Sequence, residues 1–290
     1  MIRALTALSL AGASLAASVP ATVPAGVPAG SHSRPKSLPF PDIAAITANT
    51  TLPKHSHVGL QRDQPKGTTA SSSRLGRRDD YCKTHACVAS PTLTWGDADN
   101  GGKGIHITNA GSDWRGFYIF QNCCDLVPYK YIWIAAGETQ FVTLPGDFQG
   151  RIQRGVDSTM LSGQSNLLGT WFEFSWDANG AGWADISLIR GCDGAALIWD
   201  TDNGNEWMGF TQWILDGAPT GAYDMKNDGQ WVLAASEALG NPADVNTLVR
   251  DWYIQQVGTD RVYVDDWHGN GAVMESPTGR ISSYWPEGRA

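Results

Sequence analysis

The sequence predicts an all-β fold, a sandwich of short strands with one short helix toward the C-terminus. Three observations carry this. From residue 91 to 200 apolar and polar residues alternate in short runs, each closed by Gly, Asn or Asp, which is the period of half-buried strands. No long helical pattern separates those runs, which favours stacked sheets over a β/α alternation. A spacing near 3.6 appears only late, in "NPADVNTLVRDWYIQQVG" at 241–258, and no internal repeat period is visible.

The chain opens on "MIRALTALSLAGASLAASVPA", with Arg3 before a short run of apolar and small residues. Residues 1–17 read as a secretory signal peptide cleaved at or near Ser14-Leu15-Ala16, too short for a membrane anchor. Residues 18–78 are rich in Pro, Ala, Ser, Thr and basic residues, with Phe40 their one aromatic. Such a segment buries too little apolar surface to offset its ordering entropy, so disorder is expected. It ends in "SSSRLGRR", where Arg77-Arg78 offers a dibasic site to a processing protease; the alternative is a flexible tail that stays attached. The sequon Asn49-Thr50-Thr51 lies in this segment, so no N-glycan is expected on the folded part.

Residues 79–290 suit one mature domain. Lys and Arg before residue 79 number nine against two Asp/Glu, a net +7, and after it twelve against 27, a net −15. So acidic a domain repels phosphates and anionic lipid, which excludes nucleic acid and membrane as expected partners. Neutral ligands, cations or a basic protein remain. All 13 tryptophans lie after residue 79, either as core or as flat surfaces for apolar-faced ligands such as sugars. Cys82, Cys87, Cys123, Cys124 and Cys192 lie there too. In an exported chain most are expected to be oxidised. Neighbours Cys123 and Cys124 are not expected to bond each other, each instead reaching Cys82, Cys87 or Cys192, with one thiol left over. The spacing lacks a C-x-x-C, and structural zinc is not expected; no cofactor is either.

In order, strands are expected in "GIHITNA" (104–110), "WRGFYIFQN" (114–122), "YKYIWIAAG" (129–137), "TQFVTLPG" (139–146) and "GRIQRGV" (150–156). Next comes the hairpin "GTWFEFSWDANGAGWADISLIRG" (169–191), then "AALIWDTDNG" (195–204). "EWMGFTQWILDGAP" (206–219) is ambiguous. The segment 241–258 is the helix, with Pro242 early, Val245, Leu248, Val249, Trp252 and Tyr253 on its apolar side, and Gly258 closing it. "RVYVDDWHG" (261–269) and "RISSYWPEG" (280–288) are expected closing strands.

The 169–191 hairpin places one acid in each apolar arm. Phe172, Phe174 and Trp176 share one face with Ile186 and Leu188 across the turn, which leaves Trp171, Glu173 and Asp185 on the other. An even register sets 173 opposite 185 and 175 opposite 183, because a one-residue slip would bury Asp185 behind Phe174. Glu173 and Asp185 are then expected to face one space walled by Trp171 and Trp183.

In sequence order, "GETQFVTLP" (137–145), "GRIQRG" (150–155), "TWFEFSW" (170–176) and "WADISLIRG" (183–191) resemble the motifs of thaumatin-like proteins across roughly residues 104–195. The resemblance implies a thaumatin-like β-sandwich with an acidic cleft, in which Arg151, Glu173 and Asp185 match the family's cleft residues. Gly182 stands where the family often has an Asp, and the family's dense disulfide framework is missing. By analogy with β-1,3-glucanases on a similar sandwich, the resemblance implies a cell-wall β-glucan as ligand.

Chemically, two carboxylates in one cleft can divide into acid and base, which makes Glu173 and Asp185 the candidate catalytic pair. Arg151, Trp171 and Trp183 are candidate binding residues, Arg151 by pairing with an acid and the indoles by stacking on sugar C–H faces. The competing view is a structural ion pair on a sandwich face. "YVDDWHGN" (263–270) supplies a second candidate binding cluster, Asp265, Asp266 and His268, against which stands a surface turn with a capped histidine. "DTDNGNE" (200–206) misses a calcium-loop pattern because Gly204 takes the third ligand position. The expectation is a secreted monomer that binds, or also hydrolyses, β-glucan. The alternative is a non-enzymatic effector or defence protein that meets a host or microbial protein.

Overall fold

The computed structural model describes residues 81–289 apart from 205, 269 and 270. The expected signal peptide, the segment 18–78, its dibasic site and its sequon lie outside the described residues.

Two sheets pack face to face. The larger runs β1 (Thr92–Thr94), β4 (Lys130–Ile134), β3 (Arg115–Gln121), β6 (Gln149–Gly155), β7 (Trp171–Trp176), β8 (Gly182–Ser187) and β15 (Val273–Ser276). Its neighbours are antiparallel except β1 and β4. The smaller runs β10 (Trp207–Gly209), β9 (Leu197–Asp200), β16 (Arg280–Trp285), β2 (Gly104–Asn109) and β5 (Thr139–Val142), with β16 and β2 parallel. The inner faces share a core that includes Ile105, Ile107, Val142, Ile198 and Ile281 from one sheet and Phe117, Ile119, Ile132, Ile152, Phe172 and Ile186 from the other. This is the all-β sandwich that the alternation predicts.

The hairpin β7–β8 shows how the core face sets the register. Phe172, Phe174 and Trp176 point inward with Ala184 and Ile186. The Phe174 ring lies 5.3 Å from Phe172 and from Trp176, and 5.7 Å from Phe148. At the tip, one Asp177 carboxylate oxygen accepts from the backbone N–H of Asn179 at 2.8 Å and of Ala181 at 3.0 Å, and Gly180 supplies a φ of 97°.

Two expectations need correction. The predicted helix is shorter than 241–258. Residues Asn241–Val245 form β14, which pairs with β13 (Glu237–Ala238), and the helix spans Thr247–Val257. Pro242 is tolerated because that ribbon has only two strands and an open edge. Asn246 starts the helix, its side chain accepting from the Val249 N–H at 3.4 Å. Val249 and Tyr253, one turn apart, are its contribution to the core. A four-residue helix, Asp157–Met160, follows β6. The predicted strand at 261–269 reduces to one bridge, Tyr263 to Ser187, after which the chain turns.

Cys82 bonds Cys123 and Cys87 bonds Cys124, so the adjacent cysteines take separate partners. Cys123 adopts a φ of 67° between them. Cys192 is the leftover thiol, fully buried. A further ribbon, β11 (Tyr223–Met225) with β12 (Trp231–Leu233), lies outside both sheets. Among the described residues, no helix is long and apolar enough to cross a membrane.

Candidate functional site: a charged row on the large sheet

Strand pairing places Arg151 on β6 opposite Glu173 on β7, and Glu173 opposite Asp185 on β8. The three therefore lie in one lateral row, on the face of the sheet turned away from the core. Ser175 opposes Trp183, two residues further along. On the outer edge strand Val273 continues the row beside Asp185, and Glu275 lies beside Trp183. Side chains directly opposite on antiparallel strands have Cβ atoms about 4.5–5.5 Å apart, so Glu173 and Asp185 leave the sheet side by side.

Arg151 is not a loose surface cation. Only 2 % of it is exposed. Its guanidinium carbon sits 4.1 Å from the Trp171 ring centre and 4.7 Å from that of Phe120. Its Nε donates to Gln153 at 2.8 Å and one terminal nitrogen to Asp125 at 2.7 Å. The guanidinium thus lies against two rings and is held at its edge by oxygens, which suits a guanidinium and not an ammonium. Trp171 is also buried, its indole N–H donating to the Leu167 carbonyl at 2.8 Å. It packs Arg151 and offers little ring surface to a ligand. Glu173, Asp185 and Trp183 are half-buried, and one carboxylate oxygen of Asp185 is itself sealed from solvent. The expected space is therefore a sheet face with one half-buried indole, Trp183, in place of a hollow with two tryptophan walls.

The sequence offered no clue to Asp125, Phe120 or Gln153. Asp125 lies in the turn after β3, the strand that pairs with β6. Phe120 and Gln153 lie on alternating strands whose outer face reads as solvent, whereas Tyr118, Phe120 and Met160 form a second small apolar cluster there.

The 265–268 segment is separate from this row. It follows the bridge of Tyr263 to Ser187 at the end of β8. Asp265 is fully buried and accepts from the backbone N–H of Trp267 at 2.9 Å and of His268 at 2.6 Å, and from the His268 ring Nδ1 at 2.8 Å. Its oxygens thus hold a turn, the geometry of a capped histidine. The Asp266 N–H donates to Glu237 at 2.6 Å. Glu237 has a carboxyl whose pKa burial pushes up, with Asp266 and Asp265 nearby adding to the shift. Glu237 also borders an open hollow of about 300 Å³ shared with Asp224, Asp244 and Asn246, none of which belongs to the row. The 200–206 turn spends its acids locally. Asp200 accepts from Ser276 at 2.9 Å, and Asp202 accepts from Thr278 and lies 3.5 Å from Arg280. Among the described residues no group of three or more His, Cys, Asp or Glu is arranged to hold a metal ion.

No protein-family model matches this chain, and no curated protein matches it. Among solved structures it is similar to the protein elicitor MoHrip2 from Magnaporthe oryzae, at 10% identity over 38% of this chain and 78% of that one, with a TM-score of 0.28. So small an overlap transfers no function. The thaumatin-like resemblance rests on the order of its motifs alone, and the chain itself is an all-β sandwich with two disulfides.

Proposed function

We propose that this chain is an exported sandwich of thaumatin-like type that binds a cell-wall β-glucan across the outer face of its large sheet. One observation carries the reading: Arg151, Glu173 and Asp185 stand opposite one another on three adjacent strands. Glu173 and Asp185 accept hydrogen bonds from sugar hydroxyls, and the half-exposed Trp183 lends an apolar face two residues away. Arg151, held against Phe120 and Trp171, positions the row. The uncharged nature of a glucan fits a segment of net charge −15. The two disulfides suit an oxidising, extracellular setting.

Hydrolysis is a second reading, favoured by the direct opposition of the two acids on β7 and β8. In double displacement with retention one carboxylate attacks the anomeric carbon and the other delivers the proton, at a separation of about 5–5.5 Å, whereas inversion needs roughly 6.5–9.5 Å to admit a water.

The test is adsorption to insoluble β-1,3-glucan, with reducing-end release measured in parallel, for wild type, Glu173→Gln and Asp185→Asn. Loss of adsorption in both variants supports binding at the row. Retained adsorption with abolished sugar release supports hydrolysis. A wild type that neither adsorbs nor releases sugar removes the glucan reading and leaves a protein partner as the target.

A further inference from the structure

Away from the charged row, three exposed apolar residues lie in segments that one arginine ties together. Met225 and Trp231 are directly opposed on the β11–β12 ribbon and point from the same face, 52 % and 56 % exposed. Trp213, in the loop after β10, is 48 % exposed, and its indole N–H is tied to Asp216 Oδ2 at 2.7 Å. Arg289 links them. One terminal nitrogen donates to the Trp231 carbonyl at 2.7 Å, the other to Asp216 Oδ1 at 2.6 Å, and its guanidinium carbon lies 5.6 Å from the Trp213 ring centre. One guanidinium thus meets the Trp213 ring and the Trp231 backbone, and so ties the segments that carry the two exposed tryptophans together.

Leaving such surface in water is unfavourable, and the fold does not relieve it although 13 tryptophans compete for the same core. The Trp213 ring is moreover anchored at its edge, so its face is presented in a fixed orientation with little entropy left to lose on binding. Arg289 and Asp216 cancel each other's charge and place donors and acceptors beside the ring. Residues 79–290 carry −15 overall, which repels anionic ligands. Flat apolar faces rimmed by hydrogen-bonding groups match an uncharged ligand with an apolar face and hydroxyl edges.

We infer that Trp213 and Trp231, with Met225 beside them, form a stacking platform for an uncharged β-linked pyranose polysaccharide. This site is distinct from the Glu173–Asp185 row and does not require it. β-1,3-Glucan, cellulose and chitin share this chemistry, and the assay separates them.

The test measures partition of the full chain onto each of the three insoluble polysaccharides. Trp213→Ala and Trp231→Ala are each expected to lower partition about tenfold on the polymer that binds wild type, and Phe at either position to retain most of it. Trp267→Ala removes an exposed indole outside the platform and is expected to partition like wild type; an equal loss in that variant overturns the platform. Alanine variants that keep the wild-type melting midpoint and adsorb like wild type overturn it, as does a wild type that adsorbs to none of the three. Wild type also supplies a reading that needs no variant. Mass-mapped indole oxidation is expected to fall at Trp213 and Trp231 in the presence of the adsorbing polysaccharide, with the exposed Trp267 as internal control. Equal oxidation at all three positions overturns the platform.

Discussion

At the scale of single residues, the sheet face is governed by how Arg151 is held. Two rings, Gln153 and Asp125 fix it, yet the Asp125 side chain is 40% exposed and its ion pair is weakened by water. The stack should therefore matter more than the pair. Arg151→Lys keeps the charge and loses the planar contact, and is expected to cost about 2 kcal/mol, against about 0.5–1 kcal/mol for Asp125→Ala. Urea unfolding of both variants checks this; equal losses would mean that the ion pair carries the site. Cys192 is a second case. Burial pushes its thiol up to about 11, and a protonated, inaccessible sulfur does not react. Iodoacetamide at mildly alkaline pH is expected to leave the folded protein unlabelled and to add one group after denaturation without reductant. Native labelling at Cys192 would contradict its burial. Five cysteines announce an odd thiol by counting, but choosing Cys192 requires knowing that Cys82 and Cys87 both lie beside the Cys123-Cys124 bend.

Secondary-structure elements were legible in the sequence wherever burial on one face enforced a period. In β7 and β8 the inward Phe172, Phe174 and Ile186 leave Glu173 opposite Asp185, since any odd slip would seal an acid into the core. Legibility failed where pairing partners are distant or local chemistry outweighs periodicity. Asn241–Val245 reads as a first helical turn from Pro242 and Asp244, but its backbone pairs with Glu237 and Ala238. Residues 261–269 alternate like a strand, but the Asp265 carboxylate captures the N–H groups of Trp267 and His268 and bends the chain. At the β7–β8 tip, the core face sets the register and Asp177 closes the turn. Asp177→Ala removes the acceptor of two backbone N–H groups and is expected to cost about 1–2 kcal/mol while leaving the pairing of Glu173 with Asp185 intact. Equilibrium unfolding gives the first quantity and cross-strand NOEs the second. A changed register would show that the turn, not the core face, specifies the pairing.

Over the whole molecule, buried and paired acids set opposite limits on stability. The Arg280 guanidinium bonded to Asp99 holds that carboxyl well below the usual carboxylate range and ties the 95–103 loop to β16. Its stabilisation is complete above the unfolded-chain value of about 3.9 and is lost as pH falls further, because the unfolded chain then binds the proton that the fold refuses. Glu237 and Asp200 run the other way. Burial raises both, so the fold holds their protons more tightly than the unfolded chain does. Their contribution is complete below about 4 and is lost as pH rises through their elevated values. The excess of 27 acids over twelve bases in residues 79–290 acts in the same sense, since partial protonation relieves self-repulsion. These carboxyls by themselves set a stability maximum at mildly acidic pH with a decline on both sides, against which His106 works, because burial lowers its pKa and the fold refuses a proton that the unfolded chain takes up below about 6.5. Glu237→Gln keeps an oxygen for the Asp266 N–H and removes the charge, so it should flatten the neutral side of the profile. Asp99→Asn should flatten the acid side and lower stability at neutral pH. Melting midpoints of the three proteins across the acid-to-neutral range decide the matter. A wild-type midpoint that climbs steadily to neutrality would show that the paired acids and His106 outweigh the buried acids. Glu237→Gln unchanged from wild type at neutral pH would remove Glu237 as the cause of the decline.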